Sequence, residues 1–289
     1  MKYLALIIIV LLSFNVQAAQ DRGLFWRVQS KTATVYLLGS IHFADASFYP
    51  MRKNIQQAFD HSDNLVVEVK MDTAGIAQAR KMIQKEGVYH GNDTIRDHLK
   101  ADTYASLRKQ LQQLEIPYSM VEHQKPGMLI MTLTAAQMMQ LGFKADDGID
   151  IHFIHRAEAQ KKPVLELETI QQQLNLLLKI ADGDLLIQET LSDFDQTDDT
   201  MRSLVQSWKQ GDEKRLNTIL FDDVLARHPS YLSLYKQLFF RRNIAMAKKI
   251  EGYLKTDKRY FVVVGAGHLI GDKSVVALLN RNGYKAVRF

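Results

Sequence analysis

The chain has 289 residues, of which 37 are basic and 32 acidic, so its net charge is +5. The charges are interleaved and form no basic block, so we expect no nucleic-acid partner. The absence of cysteine excludes disulfides, a cysteine-linked lipid anchor and thiolate metal ligands, and any metal would have to bind His, Asp, Glu or backbone.

The N-terminal segment MKYLALIIIVLLSFNVQAAQ has the pattern of a secretory signal peptide. Lys2 supplies a positive start, residues 4–14 are apolar and Ala18 follows as a small exit residue. The apolar run is shorter than the roughly 20 residues that a membrane-spanning helix needs. We therefore predict a signal peptide over residues 1–18, with a periplasmic or secreted mature chain and no stable membrane span. An uncleaved membrane anchor is the alternative.

Residues 24–43 predict two strands with a break at Ser30-Lys31. The second strand is apolar almost throughout, which indicates a central position with both faces covered. Pro50 is expected to open a helix over residues 50–63, because proline suits a first helical turn. The segment LVVEV at 65–69 predicts a short buried strand.

Residues 72–255 predict helices for the most part. The exceptions are the strand VLELE at 164–168 and an acidic loop at 192–199, and residues 230–255 predict one long helix. The last residues predict a strand, a loop, a helix that ends at Gly283 and a final strand. This order predicts a single α/β domain over residues 19–289, in which both ends of the chain build a central mixed sheet and a large helical insertion covers about 72–255.

Two predicted strands end in the same pattern, Gly-x-x-His. VYLLGSIHF leads through Gly39 to His42, and FVVVGAGHL leads through Gly265 to His268. Ligands of α/β sheets bind outside the carboxyl ends of strands, and a neutral imidazole is a good ligand for divalent metals. Glu68 ends another buried strand, where a lone carboxylate is costly unless it is paired or ligating. The pattern indicates a metal site, although hydrogen-bonded structural histidines remain the alternative.

Six short segments in a fixed order resemble a known family. They are LLGSIHF at 37–43, LVVEV at 65–69, GID at 148–150, LELETIQQQ at 165–173, RRN at 241–243 and GAGHLIGD at 265–272. The chain in this respect resembles the TraB/PrgY/GumN family, which includes the Tiki metalloproteases and is similar in fold to the erythromycin esterase and ChaN-like proteins.

The resemblance implies a metal-dependent peptidase that acts on a peptide or protein substrate. The implied cofactor is a divalent ion, with Mn or Co favoured and Zn or Fe as alternatives. His42 and His268 would be metal ligands, and Glu68 would be a ligand or the catalytic carboxylate. Asp45, three residues after His42, could reach a metal through the loop. Asp150 could cap the next helix. His152 and His155 could share a helix face as a metal pair, although a partly exposed helix is the simpler interpretation.

Two further residues are catalytic candidates. Glu168 lies two positions after Glu166, so we expect both on one strand face, and Glu168 would support the metal ligands, bind the metal itself or act as a general base. The alternative is a solvent-facing pair on an edge strand. Arg242 would clamp a peptide carboxylate or stabilise negative charge in the transition state, unless it belongs to a surface basic cluster. Asn243, in the middle of a helix, invites a specific role.

The sequence favours an exported metal-dependent hydrolase of the Tiki type. Two other classes of protein remain open. One is a non-catalytic binding protein that sequesters a peptide, haem or metal, and the other is an envelope scaffold whose histidines are structural.

Overall fold

A computed structural model describes residues 23–70, 72–180, 182–194 and 197–289. The predicted signal peptide over residues 1–18 lies outside this part of the chain, as do residues 195–196 of the predicted acidic loop at 192–199. Residues 192–193 and 197–199 are helical, so the prediction of a loop was wrong for them. No helix among the described residues is long and apolar enough to cross a membrane.

The described residues form one mixed sheet of six strands. The strands are β1 (Leu24–Gln29), β2 (Thr34–Ser40), β3 (Asn64–Val67), β4 (Val164–Glu166), β5 (Arg259–Gly265) and β6 (Ala286–Arg288), and their order in the sheet is β4-β3-β5-β2-β1-β6. Strands β4, β3, β5 and β2 pair in parallel, whereas β1 is antiparallel to β2 and β6. The predicted α/β fold, with a mixed sheet built from both ends of the chain, is therefore confirmed.

The helices occupy most of the chain between β3 and β5. In chain order they are α1 (Lys53–Asp60), α2 (Thr73–Glu86), α3 (Ala101–Gln113), α4 (Pro126–Gln140), α5 (Ile149–Ala159), α6 (Ile170–Leu178), α7 (Gly183–Asp193), α8 (Thr197–Gln210), α9 (Glu213–Asn217), α10 (Asp223–Arg227), α11 (Leu232–Tyr235), α12 (Arg241–Tyr253) and α13 (Val275–Arg281). The predicted helical character of this section is confirmed, and the division of the chain into a domain with an insertion stays a prediction.

The centre of the sheet is apolar on both faces. All four residues of β3 are buried, and so are the five residues 260–264 of β5. Strands covered on both sides have no solvent face, so they appear in the sequence as continuous apolar runs. Helix α1 supplies part of the cover through Ile55, Ala58 and Phe59. It begins at Lys53, so the prediction that Pro50 opens this helix was wrong.

The helical section has a second apolar core away from the sheet. It consists of buried residues from α3, α4, α7 and the turns between them, namely Ile95, Leu107, Leu111, Leu114, Val121, Leu129, Leu133, Ile187 and Phe194. Helices stabilised by such packing need no contact with the sheet to bury their apolar faces.

The predicted long helix at 230–255 contains a π-helical turn. This turn, called π2 (Lys236–Phe240), joins α11 to α12, and a similar turn, π1 (Thr218–Asp222), joins α9 to α10. The two turns contact each other through the rings of Phe221 and Phe239, which lie 5.0 Å apart, and Tyr235 at the end of α11 donates its hydroxyl to the Leu220 carbonyl at 3.0 Å. Single π turns within α-helices occur often at functional sites.

Candidate functional site

The two Gly-x-x-His segments meet at one edge of the sheet. Strands β2 and β5 are parallel neighbours with Ser40 opposite Gly265, so both end at the same level. His42 and His268 follow within three residues of those ends. Glu68 follows β3, which pairs with the other side of β5. The sheet thus brings together three side chains that are far apart in the sequence.

Gly265 marks the centre of this group. A Cβ atom added there would lie 3.2 Å from Oε1 of Glu68, 3.7 Å from Cδ2 of His268 and 3.9 Å from Nε2 of His42. The three side chains therefore surround one spot beside the Gly265 Cα atom, which the absence of a side chain leaves open.

His268 is held in one tautomer by Asn243. Its Nδ1 lies 2.6 Å from Oδ1 of Asn243, while the amide Nδ2 of Asn243 donates to the Lys273 carbonyl at 2.8 Å. Because the amide donates on one side, its oxygen accepts on the other, and Nδ1 of His268 carries the proton. Burial lowers the pKa of His268 to about 4. The ring is therefore neutral at pH 7, with a lone pair on Nε2.

His42 is oriented by Asp150 at the start of α5. Nδ1 of His42 lies 3.3 Å from Oδ2 of Asp150, and this hydrogen bond raises the pKa of His42 above its usual value. Gly148 permits the approach, since a Cβ there would lie 2.5 Å from the His42 carbonyl oxygen. The N-cap of α5 is Gly148, so the prediction that Asp150 caps the helix was wrong.

Glu68 lies in a buried set of hydrogen-bond donors. Its Oε1 accepts from the Gly265 backbone N–H at 2.6 Å, and its Oε2 accepts from Arg242 at 2.7 Å and from Gln173 at 2.9 Å. Burial alone would raise the pKa of Glu68, but His268, Arg242 and His42 together with the Gly265 N–H lower it to about 2. Glu68 is therefore ionised at neutral pH, and its Oε1 lies 3.7 Å from Nε2 of His268.

Arg242 joins Glu68 to Glu168. Its Nη2 donates to both carboxylates, at 2.7 Å to Glu68 and 2.6 Å to Glu168, and its Nε donates to Glu168 at 2.8 Å. Nη1 donates to the Leu238 carbonyl at 2.8 Å. Side-chain exposure is 14% for Arg242 and 8% for Glu168, so this is a buried ion pair rather than a surface cluster. The predicted catalytic roles of Arg242 and Glu168 stay predictions.

The remaining candidates lie in other contacts. Glu166 is the last residue of β4, so Glu168 follows the strand, and the prediction of a same-face pair on one strand was wrong. Asp45 accepts from the Ser47 N–H at 2.8 Å and caps a short 3₁₀ turn. The ring of His152 packs against Tyr49 at 4.5 Å, and His155 is exposed.

The sequence did not predict that Asp150, Gln173 and Asn243 would hydrogen-bond to the histidines and carboxylates of the cluster. Gln173 donates to Glu68 at 2.9 Å and to Glu168 at 3.2 Å. A capping box that starts at Thr169 fixes the first turn of α6 and so places this amide. Thr-x-x-Gln was the available signal for the helix start, but it does not show which side chain the helix aims at the carboxylates.

A cavity of about 340 Å³ lies over the cluster. His42, Glu68, Arg242 and His268 contribute ionisable groups to it, apolar residues from α8, α9, π1 and π2 contribute one wall, and residues 40–41 and 265–267 at the strand ends complete the lining. Charged groups thus face a space that is otherwise largely apolar.

The donor set suits a divalent metal in its chemistry. Each imidazole has an acceptor at Nδ1, which is how metal-binding histidines are usually held. Nε2 of His268 carries a lone pair, whereas Asp150 raises the pKa of His42 to about 9, so His42 would release its Nε2 proton on binding the ion. The open spot at Gly265 borders both rings and Glu68. Within the described ranges, however, no three His, Asp or Glu side chains already stand in a metal-binding arrangement. Closer approach would need movement of His42, whose side chain is 62% exposed.

The fold and site define an α/β protein with a His/Glu/Arg cluster at the carboxyl ends of its parallel strands, in which Glu68, Arg242 and His268 are largely buried and His42 is exposed. The chain belongs to the TraB/PrgY/gumN family, whose family model matches residues 24–288. The resemblance read from the six short segments is therefore confirmed.

Relatives of this chain include bacterial and animal proteins. The uncharacterized protein YbaP of Escherichia coli (strain K12) is 27% identical over 84% of this chain and 87% of its own length. Metalloprotease TIKI2 of Xenopus tropicalis is 21% identical and metalloprotease TIKI1 of Homo sapiens 19%, each over 93% of this chain. The chain spans only 60% and 62% of those two proteins. No solved structure matches it significantly.

Proposed function

We propose that this chain is an exported metal-dependent hydrolase that cleaves peptide bonds. The observation that carries the proposal is the matched orientation of two imidazoles, His42 by Asp150 and His268 by Asn243, around the same open spot as Glu68. Similarity to proteins named metalloproteases supports the class of reaction.

We assign His42, His268 and Glu68 to binding a metal ion. A divalent ion, with Mn or Co favoured and Zn or Fe as alternatives, would polarise the substrate carbonyl and acidify a bound water. His42 and His268 would hold it through Nε2. A carboxylate with a pKa of about 2 is a weak base at neutral pH. We therefore assign Glu68 to holding the cation rather than to accepting a proton.

Arg242 and Glu168 would position Glu68. The Arg242 guanidinium holds the Glu68 carboxylate from one side, and Glu168 forms a second ion pair with the same guanidinium. Arg242 also lines the cavity, where it would stabilise negative charge that develops on the substrate.

The first test is metal content of the purified mature chain after loading with Mn, Co, Zn or Fe. We expect about one ion per chain, lost in both His42→Ala and His268→Ala and kept in His61→Ala, which alters an exposed histidine at the end of α1. Unchanged metal affinity in both site variants would refute the assignment.

The second test separates turnover from sequestration. The loaded chain is incubated with a peptide library, and products are identified by mass spectrometry. Products that require both histidines support the hydrolase. Saturable binding of a peptide, haem or metal without any product would support the alternative, a binding protein. N-terminal sequencing of protein recovered from the periplasm or medium tests export, which predicts a start after about Ala18.

A further inference from the structure

The cavity over the cluster has two chemically different linings. The polar side chains belong to Ser40, His42, Glu68, Arg242 and His268. The apolar lining comes mainly from three separate stretches of the chain, as Met201, Leu204, Leu216, Leu220, Leu238 and Phe239, with Ile41 and Ala266 next to the strand ends. Most of these apolar side chains are only partly buried, and all except Leu238 belong to the main core or pack against it.

The apolar lining reaches the reacting end of the cavity. The ring of Phe239 lies 5.4 Å from that of His268. It sits over Gly267, where an added Cβ would lie 2.8 Å from Cε1 of Phe239. A ligand group held against His268 would therefore have apolar surface directly beside it.

This lining is fixed rather than loose. Phe239 packs against Phe221 at 5.0 Å and against Tyr235 at 5.5 Å, and the Tyr235 hydroxyl binds the Leu220 carbonyl. Both π turns are thereby joined where they border the cavity. A preformed apolar surface binds an apolar group without the cost of first ordering its own side chains.

The charged groups of the lining disfavour an ionic ligand group. Arg242 and His42 both line the cavity, and each is already paired with carboxylates, Arg242 with Glu68 and Glu168 and His42 with Asp150. Met, Leu and Phe side chains offer no counter-charge, so an ionic group placed among them would lose its hydration without compensation. The volume of about 340 Å³ lies at the low end for ligand pockets, which suits one large side chain and the adjoining backbone.

We propose that this cavity is a specificity pocket for a large apolar side chain, of leucine, methionine or phenylalanine type, on the substrate residue next to the cleaved bond. The proposal rests on the proposed peptidase function and adds its substrate class.

The experiment has a binding arm that does not depend on turnover. Binding of N-acetyl-leucine amide, N-acetyl-phenylalanine amide and N-acetyl-aspartate amide to the mature chain is measured by calorimetry. We expect the two apolar probes to bind at least roughly tenfold more tightly than the aspartate probe, the scale of discrimination by an apolar pocket. Leu220→Asn and, as an independent second variant, Leu204→Asn should remove this preference. Met139→Asn, on an exposed position of α4 outside the cavity lining, should retain it.

The cleavage arm uses peptides that differ only at the residues flanking the bond, with kcat/KM as the readout. Preference for apolar residues that weakens in both leucine variants supports the pocket. Equal binding of all three probes, or equal cleavage of Leu and Asp peptides, overturns it while leaving the peptidase proposal intact. Apolar-selective binding without cleavage of any peptide supports the pocket and rejects the peptidase.

Discussion

Substitution of Gly265 by alanine tests whether the open spot beside it is the functional centre. The new methyl group would lie 3.2 Å from Oε1 of Glu68 and at ordinary contact distance from His268 and His42. Gly265 has a φ of −49°, so alanine meets no backbone strain. Only one contact is tight, which limits the loss of unfolding free energy to about 1 kcal/mol, the low end for overpacking.

Ligand binding should respond far more strongly than stability. The methyl group would occupy the space that borders all three candidate ligands, so metal affinity should fall at least ~100-fold, beyond the effect of disturbing a supporting residue. Urea unfolding measures the unfolding free energy, and metal titration measures the metal affinity. Gly252→Ala is the matched control, because its Cβ would have no neighbour within 4 Å in α12. It should raise the unfolding free energy by about 1 kcal/mol without changing affinity. If Gly265→Ala bound metal as the wild type does, the cluster would not be the metal site.

Two substitutions test the supporting residues Asn243 and Glu168, and a pH series tests His268. Asn243→Ala removes the acceptor at Nδ1 of His268 and should weaken metal binding about 10- to 100-fold by titration; unaltered affinity would show that the tautomer does not matter. Glu168→Gln leaves part of the Arg242 charge unbalanced and should lower the unfolding free energy by about 3 kcal/mol in urea, with exposed Glu158→Gln as the neutral control. Burial lowers the pKa of His268 from 6.5 to about 4, so between these values the unfolded chain binds a proton that the folded chain does not. Stability of the metal-free protein should therefore fall by about 3 kcal/mol as the pH drops from 6.5 to 4. An equally steep fall in His268→Gln would contradict this.

The strands at the centre of the sheet could be predicted because their signal is local. Strands β2 and β5 are largely apolar runs of seven residues each, and such a run is enough to predict a buried strand. Because His42 and His268 directly follow these strands, the sequence also predicted that each histidine lies at an edge of the sheet. That both occupy the same edge depends on parallel pairing between segments at opposite ends of the chain, and no local pattern encodes such pairing.

The supporting contacts of the cluster could not be predicted for a related reason. Which amide reaches His268 depends on how α12 packs beside the loop after β5, and the mid-helix position of Asn243 was only a hint of this role. For Asp150, the sequence Gly-Ile-Asp was compatible with a helix N-cap at the aspartate, two positions after the N-cap that the structure has. The choice of Gly148 as N-cap follows from its contact with the His42 carbonyl, which is a tertiary effect.

The position of β5 has a consequence for how this protein acquires its site. This strand lies between β3 and β2, although it begins 192 residues after β3 ends (259 − 67) and 219 residues after β2 ends (259 − 40). Until β5 has been synthesised and inserted, β2 and β3 share no partner, and His42 and Glu68 are not held together. Closure of such distant segments is slow compared with local helix formation. The helices of the second core can therefore form early, whereas the site arises in one of the last folding steps, and a chain that stops before Arg259 contains His42 and Glu68 without a site.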